Sequence, residues 1–241
     1  MFENIGNGIC LITSGATSVP IDPVRSIENF STGTRGARLA ENFLKQNWNV
    51  IFLHRHNSAQ PFRHRVKIEL SIEKFQQIQT DWNINKNRLV EIAFNTLEEY
   101  FENLEILSKK LEGLKCQTKM ILLAAAVSDF VCKPQNAKID SSEEFSVIEL
   151  DKVQKMILPL TTEWAPSVAT FSFKLETDSS KIEKKARKYF DQGVKGIIGN
   201  ELTSRRTKIK LILKDTTEDI TIDHNSLTEI EELLVIRLLQ I

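Results

Sequence analysis

The chain has 241 residues, of which 41% are hydrophobic and 27% charged, and its 32 Lys+Arg balance 32 Asp+Glu. Such a chain is long enough for one large α/β domain with a sizeable core, and its zero net charge lacks the basic excess of a nucleic-acid binder. The longest apolar run, MILLAAAV, falls far short of the ~20 residues that cross a membrane, which argues against a membrane partner.

The N-terminal stretch MFENIGNGICLITSG has no basic region and no long apolar core, so it does not read as a signal peptide. Within it, GICLIT (8–13) reads as a short buried strand bounded by glycine. The loop from Ser14 to Gly33 contains Pro20 and Pro23, which exclude a regular helix. From Thr34 the pattern changes: Ala37, Ala40, Phe43 and Leu44 recur at helical spacing, and NVIFLH follows as a second strand. Strand, glycine-bearing loop, helix and strand make a βαβ unit. Residues 57–95 carry no clear periodicity and are left without assigned elements. In TLEEYFENLEILSKKLEG, Thr96 and Glu99 fit a capping box, an apolar stripe runs from Leu97 to Leu111, and Gly113 suits the C-terminal cap.

KMILLAAAV then reads as a central buried strand and VATFSF as another. Ile182, Ala186, Tyr189 and Phe190 mark a helix face ended by Gly193, and KGIIG is a further strand. KIKLILK alternates like a half-exposed strand, with ITID as its hairpin partner. Ser226 and Glu229 cap a last helix whose apolar face includes Leu227, Ile230, Leu233 and Leu234. The expectation is α/β: a single Rossmann-like three-layer domain over 1–241 with a mainly parallel sheet. An irregular segment near 130–155 would serve as a flap or dimerisation arm.

An open parallel sheet binds ligands at the carboxyl ends of its strands. The loop Ser14–Gly36, the stretch Ala125–Lys138, the residues around Phe173, and Asn200 all fall at such ends. In IENFSTGTRG (27–36), Gly33 and Gly36 let backbone approach a ligand, and a helix entrance favours an anion. Its Ser31 and Thr32 serve equally well as ordinary helix caps, so both readings stay open. The run is neither G-x-G-x-x-G nor a G-x-x-x-x-G-K-[ST] loop. In AAAVSDF (124–130), small residues leave room for a substrate, and Asp129 is either a ligand group or a turn aspartate. Lys138, Lys152 and Lys155 are candidate phosphate contacts or plain surface lysines.

Cys10, Cys116 and Cys132 are few, odd in number and without C-x-x-C spacing, which points away from disulfides and zinc and towards a reducing compartment. His54 and His56 stand in no H-E-x-x-H context, so no metal site is assigned.

Taken together, ITSGATSVPIDPVRSIENFSTGTRG, SAQPFRHR, LAAAVSDF, AKIDSS, EWAP, SFKLETD and GNELTSR, in this order, resemble the phosphopantothenate–cysteine ligases of coenzyme A biosynthesis. PFRHR and SFKLETD look like the eukaryotic branch. The resemblance implies a soluble cytoplasmic homodimer that joins 4′-phosphopantothenate to L-cysteine through an acyl-nucleotide. It implies a nucleoside triphosphate with Mg²⁺, ATP more than CTP, and no flavin. Matched motifs place Gly15, Ser31, Gly33 and Gly36 at the triphosphate, Phe173 and Asn200 at the base, and Asp129 near base, ribose or cation. They place Asn29 at the pantothenate and acyl group, Ala125 and Ala126 as backbone contacts to substrate with Lys155 nearby, and Arg25 and Lys138 at basic catalytic positions. Two departures stand out: Ala16 where the family often has Gly, and Asp151 where it often has Lys. They keep a non-catalytic nucleotide-binding relative in play. A dinucleotide-dependent oxidoreductase fits the βαβ start but not the glycine spacing.

Overall fold

The computed structural model describes residues 2, 6–66, 70–140, 142, 147–178 and 180–241. In chain order it contains β1 (Ile9–Ser14), a hairpin of β2 (Ser18–Asp22) and β3 (Arg25–Glu28), α1 (Thr34–Lys45), β4 (Asn49–Arg55), α2 (Ile72–Asn85), β5 (Leu89–Phe94), α3 (Leu97–Gly113) and β6 (Lys119–Leu123). A ribbon of β7 (Phe130–Val131) and β8 (Asp151–Lys152) follows. Then come α4 (Ile157–Pro159), which runs into a π-turn, β9 (Ala169–Glu176), α5 (Ser180–Arg187), β10 (Gly196–Glu201), β11 (Lys208–Leu213), β12 (Thr217–Thr221) and α6 (Ile230–Leu238).

Eight strands form one sheet in the order β12-β11-β10-β9-β6-β1-β4-β5. The six strands from β10 to β5 run parallel, and β11 and β12 are antiparallel at one edge. β1 lies at the centre with every residue buried, because helices cover both faces of a parallel sheet. Cys10 and Ile12 point into a core shared with α1 and α6, whereas Ile9 and Leu11 point into a core shared with α3. From β1 the chain winds outwards to β4 and β5, then returns to the other side as β6. The strand order therefore reverses between β1 and β6, the place where such sheets leave a crevice at their carboxyl ends.

Several expectations need correction. The loop 14–33 holds the β2–β3 hairpin: Pro20 is tolerated because the ribbon has only two strands, and Pro23 sits in its turn. Residues 57–95 contain α2, capped by Ser71, whose Oγ accepts the Lys74 N–H. Its periodicity is weak because only Ile78 and Trp82 reach the core, while Ile72 and Phe75 stay exposed. Gly113 lies inside the last turn of α3, and the extended Leu114 is the cap. β12 pairs with β11 as expected but starts at Thr217 and ends at Thr221, so it takes in only the first two residues of ITID. The last helix starts at Ile230 rather than near Ser226, so Leu227 lies outside it, fully exposed. The expected arm near 130–155 includes the β7–β8 ribbon, and residues 141 and 143–146 lie outside the described residues.

Candidate functional site

The crevice is built by two loops stitched together beyond the ends of β1 and β6. Gly15 adopts φ 86° and turns the chain so tightly that a Cβ there would stand 2.4 Å from Cβ of Arg55. Ala16 then pairs with Ala126 as an isolated parallel bridge. The Ala126 N–H donates to the Gly15 carbonyl at 2.7 Å, and the Thr17 N–H donates to the Ala126 carbonyl at 3.3 Å. Thr13 Oγ1 accepts the Ala125 N–H at 3.1 Å, and Thr17 Oγ1 accepts the Ser128 N–H at 2.9 Å. Tyr100 donates its hydroxyl to Thr13 from below, and burial pushes its phenol up to about 12 despite that bond. Ala16 needs no positive φ to do this, so a Cβ is accommodated there. Ala126 has thus committed both its backbone groups to protein partners, as has the Ala125 N–H. Among the described residues the Ala125 carbonyl has no partner and faces no such commitment.

The entrance of α1 closes the second side. Gly33 caps the helix at φ 75°, and its carbonyl accepts a bond from Ser14 Oγ at 2.9 Å. Gly36 is required by close approach, since a Cβ would meet Ser14 Oγ at 2.3 Å. Ser31 Oγ and Thr32 Oγ1 reach the Gly33 and Thr34 N–H groups only at 3.4 Å. The first turn has no acidic residue, and among the described residues the Arg35 and Gly36 N–H groups have no acceptor. The hydroxyls thus cap loosely, and two amides stand without an acceptor at the positive end of a helix dipole.

Asn29 leaves the hairpin over this crevice and donates Nδ2 to the Val127 carbonyl at 3.1 Å, which sets its side chain against the AAAVSDF loop. Arg25 is braced by Asp22 at 3.0 Å and donates to the Ile139 carbonyl at 3.2 Å, so it ties the hairpin to the segment that carries Lys138. Burial would raise the Asp22 carboxyl, but N–H bonds from Val24, Ile139 and Arg25 and the Arg25 charge outweigh it and hold it below its usual range. Lys138 itself is exposed. Asp129 and Lys155 form an exposed ion pair with each other, which joins an expected nucleotide residue to an expected substrate residue. Lys152 lies opposite Phe130 in the ribbon and is exposed.

Phe173 and Asn200 form a second group, on strands two and three places from β1. Phe173 pairs with Ile198 in register, and Asn200 lies two residues further along the same face. The Asn200 amide donates to the Ile198 carbonyl at 3.2 Å, while its Oδ1 is buried without a partner. Such an orphaned acceptor is costly unless a ligand supplies a donor.

Several residues here escaped the sequence reading. Ser58 places a buried, unpartnered Oγ against Gly33 and Gly15. Arg35 donates to the Arg205 carbonyl and pairs with Glu231 at 3.2 Å, so it fastens the loop after β10 to the entrance of α1. Burial lowers the Arg35 pKa from its ordinary value, with Glu231 opposing. Ser58 and Arg55 sit just beyond and at the carboxyl end of β4, where no unusual residue type or spacing marked them in the sequence. Among the described residues no group of three His, Cys, Asp or Glu could hold a metal ion.

The chain matches the family described as DNA/pantothenate metabolism flavoprotein C-terminal domain over residues 6–93 and 102–237. It is 32% identical to phosphopantothenate–cysteine ligase of Homo sapiens, across 95% of this chain and 85% of that one. It is 33% identical to phosphopantothenate–cysteine ligase 1 of Arabidopsis thaliana, across 96% and 81%. The solved structure of a Cab2 mutant superposes with a TM-score of 0.84 at 29% identity, covering 97% of this chain and 85% of that one. The same mutant in complex with phosphopantothenate-cysteine gives 0.84 at 28% identity, covering 97% and 86%. Two loops joined at the switch point of a mainly parallel sheet, together with these matches, show that the chain belongs to the phosphopantothenate–cysteine ligase family.

Proposed function

We propose that this enzyme joins 4′-phosphopantothenate to L-cysteine in two steps at the crevice between β1 and β6, using ATP in preference to CTP. The observation that carries the reading is the convergence there of the α1 entrance, Asn29 and the Ala125–Ser128 loop. In the first step the substrate carboxylate attacks the α-phosphorus and pyrophosphate leaves. In the second the cysteine amine attacks the acyl carbon, loses a proton and expels the nucleoside monophosphate.

The open Arg35 and Gly36 amides and the Gly33 turn cradle the triphosphate, with fixed dipoles that need no reorganisation as charge moves. Arg25 and Lys138 offset repulsion between a carboxylate and a polyanion. Asn29 Nδ2 exchanges its Val127 partner for the acyl oxygen and steers it towards the amine, and the free Ala125 carbonyl fixes the pantothenoyl arm. The Asn200 Oδ1, buried and unpartnered beside Phe173, accepts from the exocyclic amine of the base. Mg²⁺ would supply charge neutralisation of the phosphates when bound, and Asp129, now paired with Lys155, is the carboxylate that would help to hold it. Lys138 closes over the phosphates and excludes water that would hydrolyse the anhydride.

Two copies associate through the hairpin and the ribbon segment. Val24, Phe30 and Phe130 are all exposed there, an arrangement a lone chain does not favour. The thiols of Cys10, Cys116 and Cys132 are free, in keeping with a cytoplasmic setting.

The test is an assay with Mg²⁺, phosphopantothenate, cysteine and either ATP or CTP. The expected result is pyrophosphate release that requires phosphopantothenate, amide product only with cysteine, and faster turnover with ATP. Absence of pyrophosphate with both nucleotides would refute the ligase reading, and nucleotide binding without turnover would favour a binding relative. Sedimentation as a monomer at assay concentration would remove the dimer.

A further inference from the structure

Arg55 ends β4 at the carboxyl edge of the sheet, beside the crevice and outside every motif used so far. Its Cβ crowds the Gly15 turn, and its carbonyl accepts the Ser58 N–H at 3.0 Å. Its guanidinium donates to Asn95 Oδ1 at 2.5 Å and stands 3.6 Å from Glu28. Glu28 is the only carboxylate at ion-pairing distance from it among the described residues, and that carboxylate is half exposed while Arg55 is three-quarters covered. The other cations at this edge differ. Arg25 has a close, buried partner in Asp22, and Lys155 has Asp129. Arg55 is thus a largely desolvated charge held by one neutral amide and one distant, exchangeable carboxylate. A planar five-donor group in that state suits a phosphate, which offers bidentate acceptors at hydrogen-bonding range. The adjacent Ser58 Oγ, buried and without a partner, adds an unused donor to the same turn.

We infer that Arg55 is a further phosphate-binding residue of this site, taking a phosphate group of one of the two phosphorylated substrates and releasing Glu28 as it does so. The inference rests on the proposed ligase reading. The shared chemistry is a phosphate dianion, supplied either by the nucleotide or by the 4′-phosphate of phosphopantothenate.

Equilibrium binding without turnover separates these sources. Mg-ATP, inorganic pyrophosphate and phosphopantothenate are titrated against wild type, Arg55→Gln, Arg55→Lys and Glu28→Gln. Arg55→Gln is expected to weaken one phosphorylated substrate by about 10- to 100-fold, the range of a charge-assisted hydrogen bond, and to leave the other within about 3-fold. Weakened Mg-ATP and pyrophosphate assign the nucleotide, and weakened phosphopantothenate alone assigns the 4′-phosphate. Arg55→Lys should recover part of the loss, and Glu28→Gln should tighten the same ligand, because the competing carboxylate is gone. Unchanged affinities in Arg55→Gln overturn the inference. So does an equal loss for both substrates with a lowered melting temperature, which marks a clamp between β4 and the hairpin. If Arg55→Gln does not fold, unchanged affinity in both Arg55→Lys and Glu28→Gln overturns it. A wild type that turns over normally while Arg55→Gln keeps both affinities sinks only this inference; a wild type that binds neither substrate sinks the ligase reading with it.

Discussion

Along α1, charge is handled in two opposite ways. On the flank facing α6 and the turn at 60–66, Glu41 is buried and accepts the Phe62 N–H at 2.7 Å and Arg65 Nε at 2.6 Å, and Arg65 also clasps Glu229 at 2.7 Å. Burial works against the Arg65 charge, but the two carboxylates outweigh it and hold its pKa above the ordinary value. At the entrance of the same helix, amides lack acceptors, and close by Asn29 and Lys138 stand in solvent, Asn29 with a single side-chain hydrogen bond. Charges that hold the fold are desolvated and fully engaged, because a buried charge without a partner is expensive. Groups that must receive a ligand stay exposed or incompletely bonded, because a partner already in place would have to be displaced.

This contrast can be broken most forcefully at Glu41. Glu41→Ala would leave Arg65 and the Phe62 N–H without their buried acceptor, with an expected loss of about 3–5 kcal/mol in denaturant unfolding. A loss below about 1 kcal/mol would mean that this flank is not the structural one. Asn29→Ala should behave in the reverse way. Product formation should fall by about 100-fold, as for removal of one oriented donor, while the melting temperature stays unchanged. Full turnover would remove Asn29 from the site. Gly36→Ala tests the boundary between the two regions, because a Cβ there runs into Ser14 at 2.3–2.5 Å. Overpacking at that point should cost about 1–3 kcal/mol and weaken nucleotide binding together with stability.

The smallest effect concerns His54, which ends up beside the crevice but belongs to the structural regime. Burial, the largest influence, holds its imidazole below the usual value despite the Arg55 carbonyl and Glu91. The unfolded chain therefore takes up the proton first as pH falls through about 6.5, so this contribution to stability is present above that pH and is lost below it. His54→Gln should flatten the fall in melting temperature between about pH 6.5 and 5. An unchanged acid limb would mean that His54 does not titrate differently in the two states.

What could be read in the chain beforehand followed local regularity. The buried strands were legible as continuous apolar runs, since Ile9–Ile12 must satisfy a core on each face. α3 announced itself through Thr96, whose Oγ1 accepts the Glu99 N–H, and through one stripe of leucines. α2 was not legible, because two core contacts in four turns leave no period to see. The β2–β3 hairpin hid behind its prolines, which a two-stranded ribbon tolerates and a wide sheet does not. Within the site, glycines and the Asn29 motif were visible because their residue types are unusual in such spacing. Thr13, Thr17, Arg55 and Ser58 were not, because an ordinary residue becomes part of a site only through what lies opposite it.

The sequence by itself determined which segments become buried strands and amphipathic helices, and which short motifs could serve a phosphate and an acyl group. Only the tertiary structure decided that β6 returns beside β1 on the side away from β4, and so set Ala126 against Ala16 and Asn29 over Val127. Local composition fixes the period of burial through side-chain spacing along one element. The pairing of two loops more than a hundred residues apart depends instead on strand order, which only the shared core of all the elements can select.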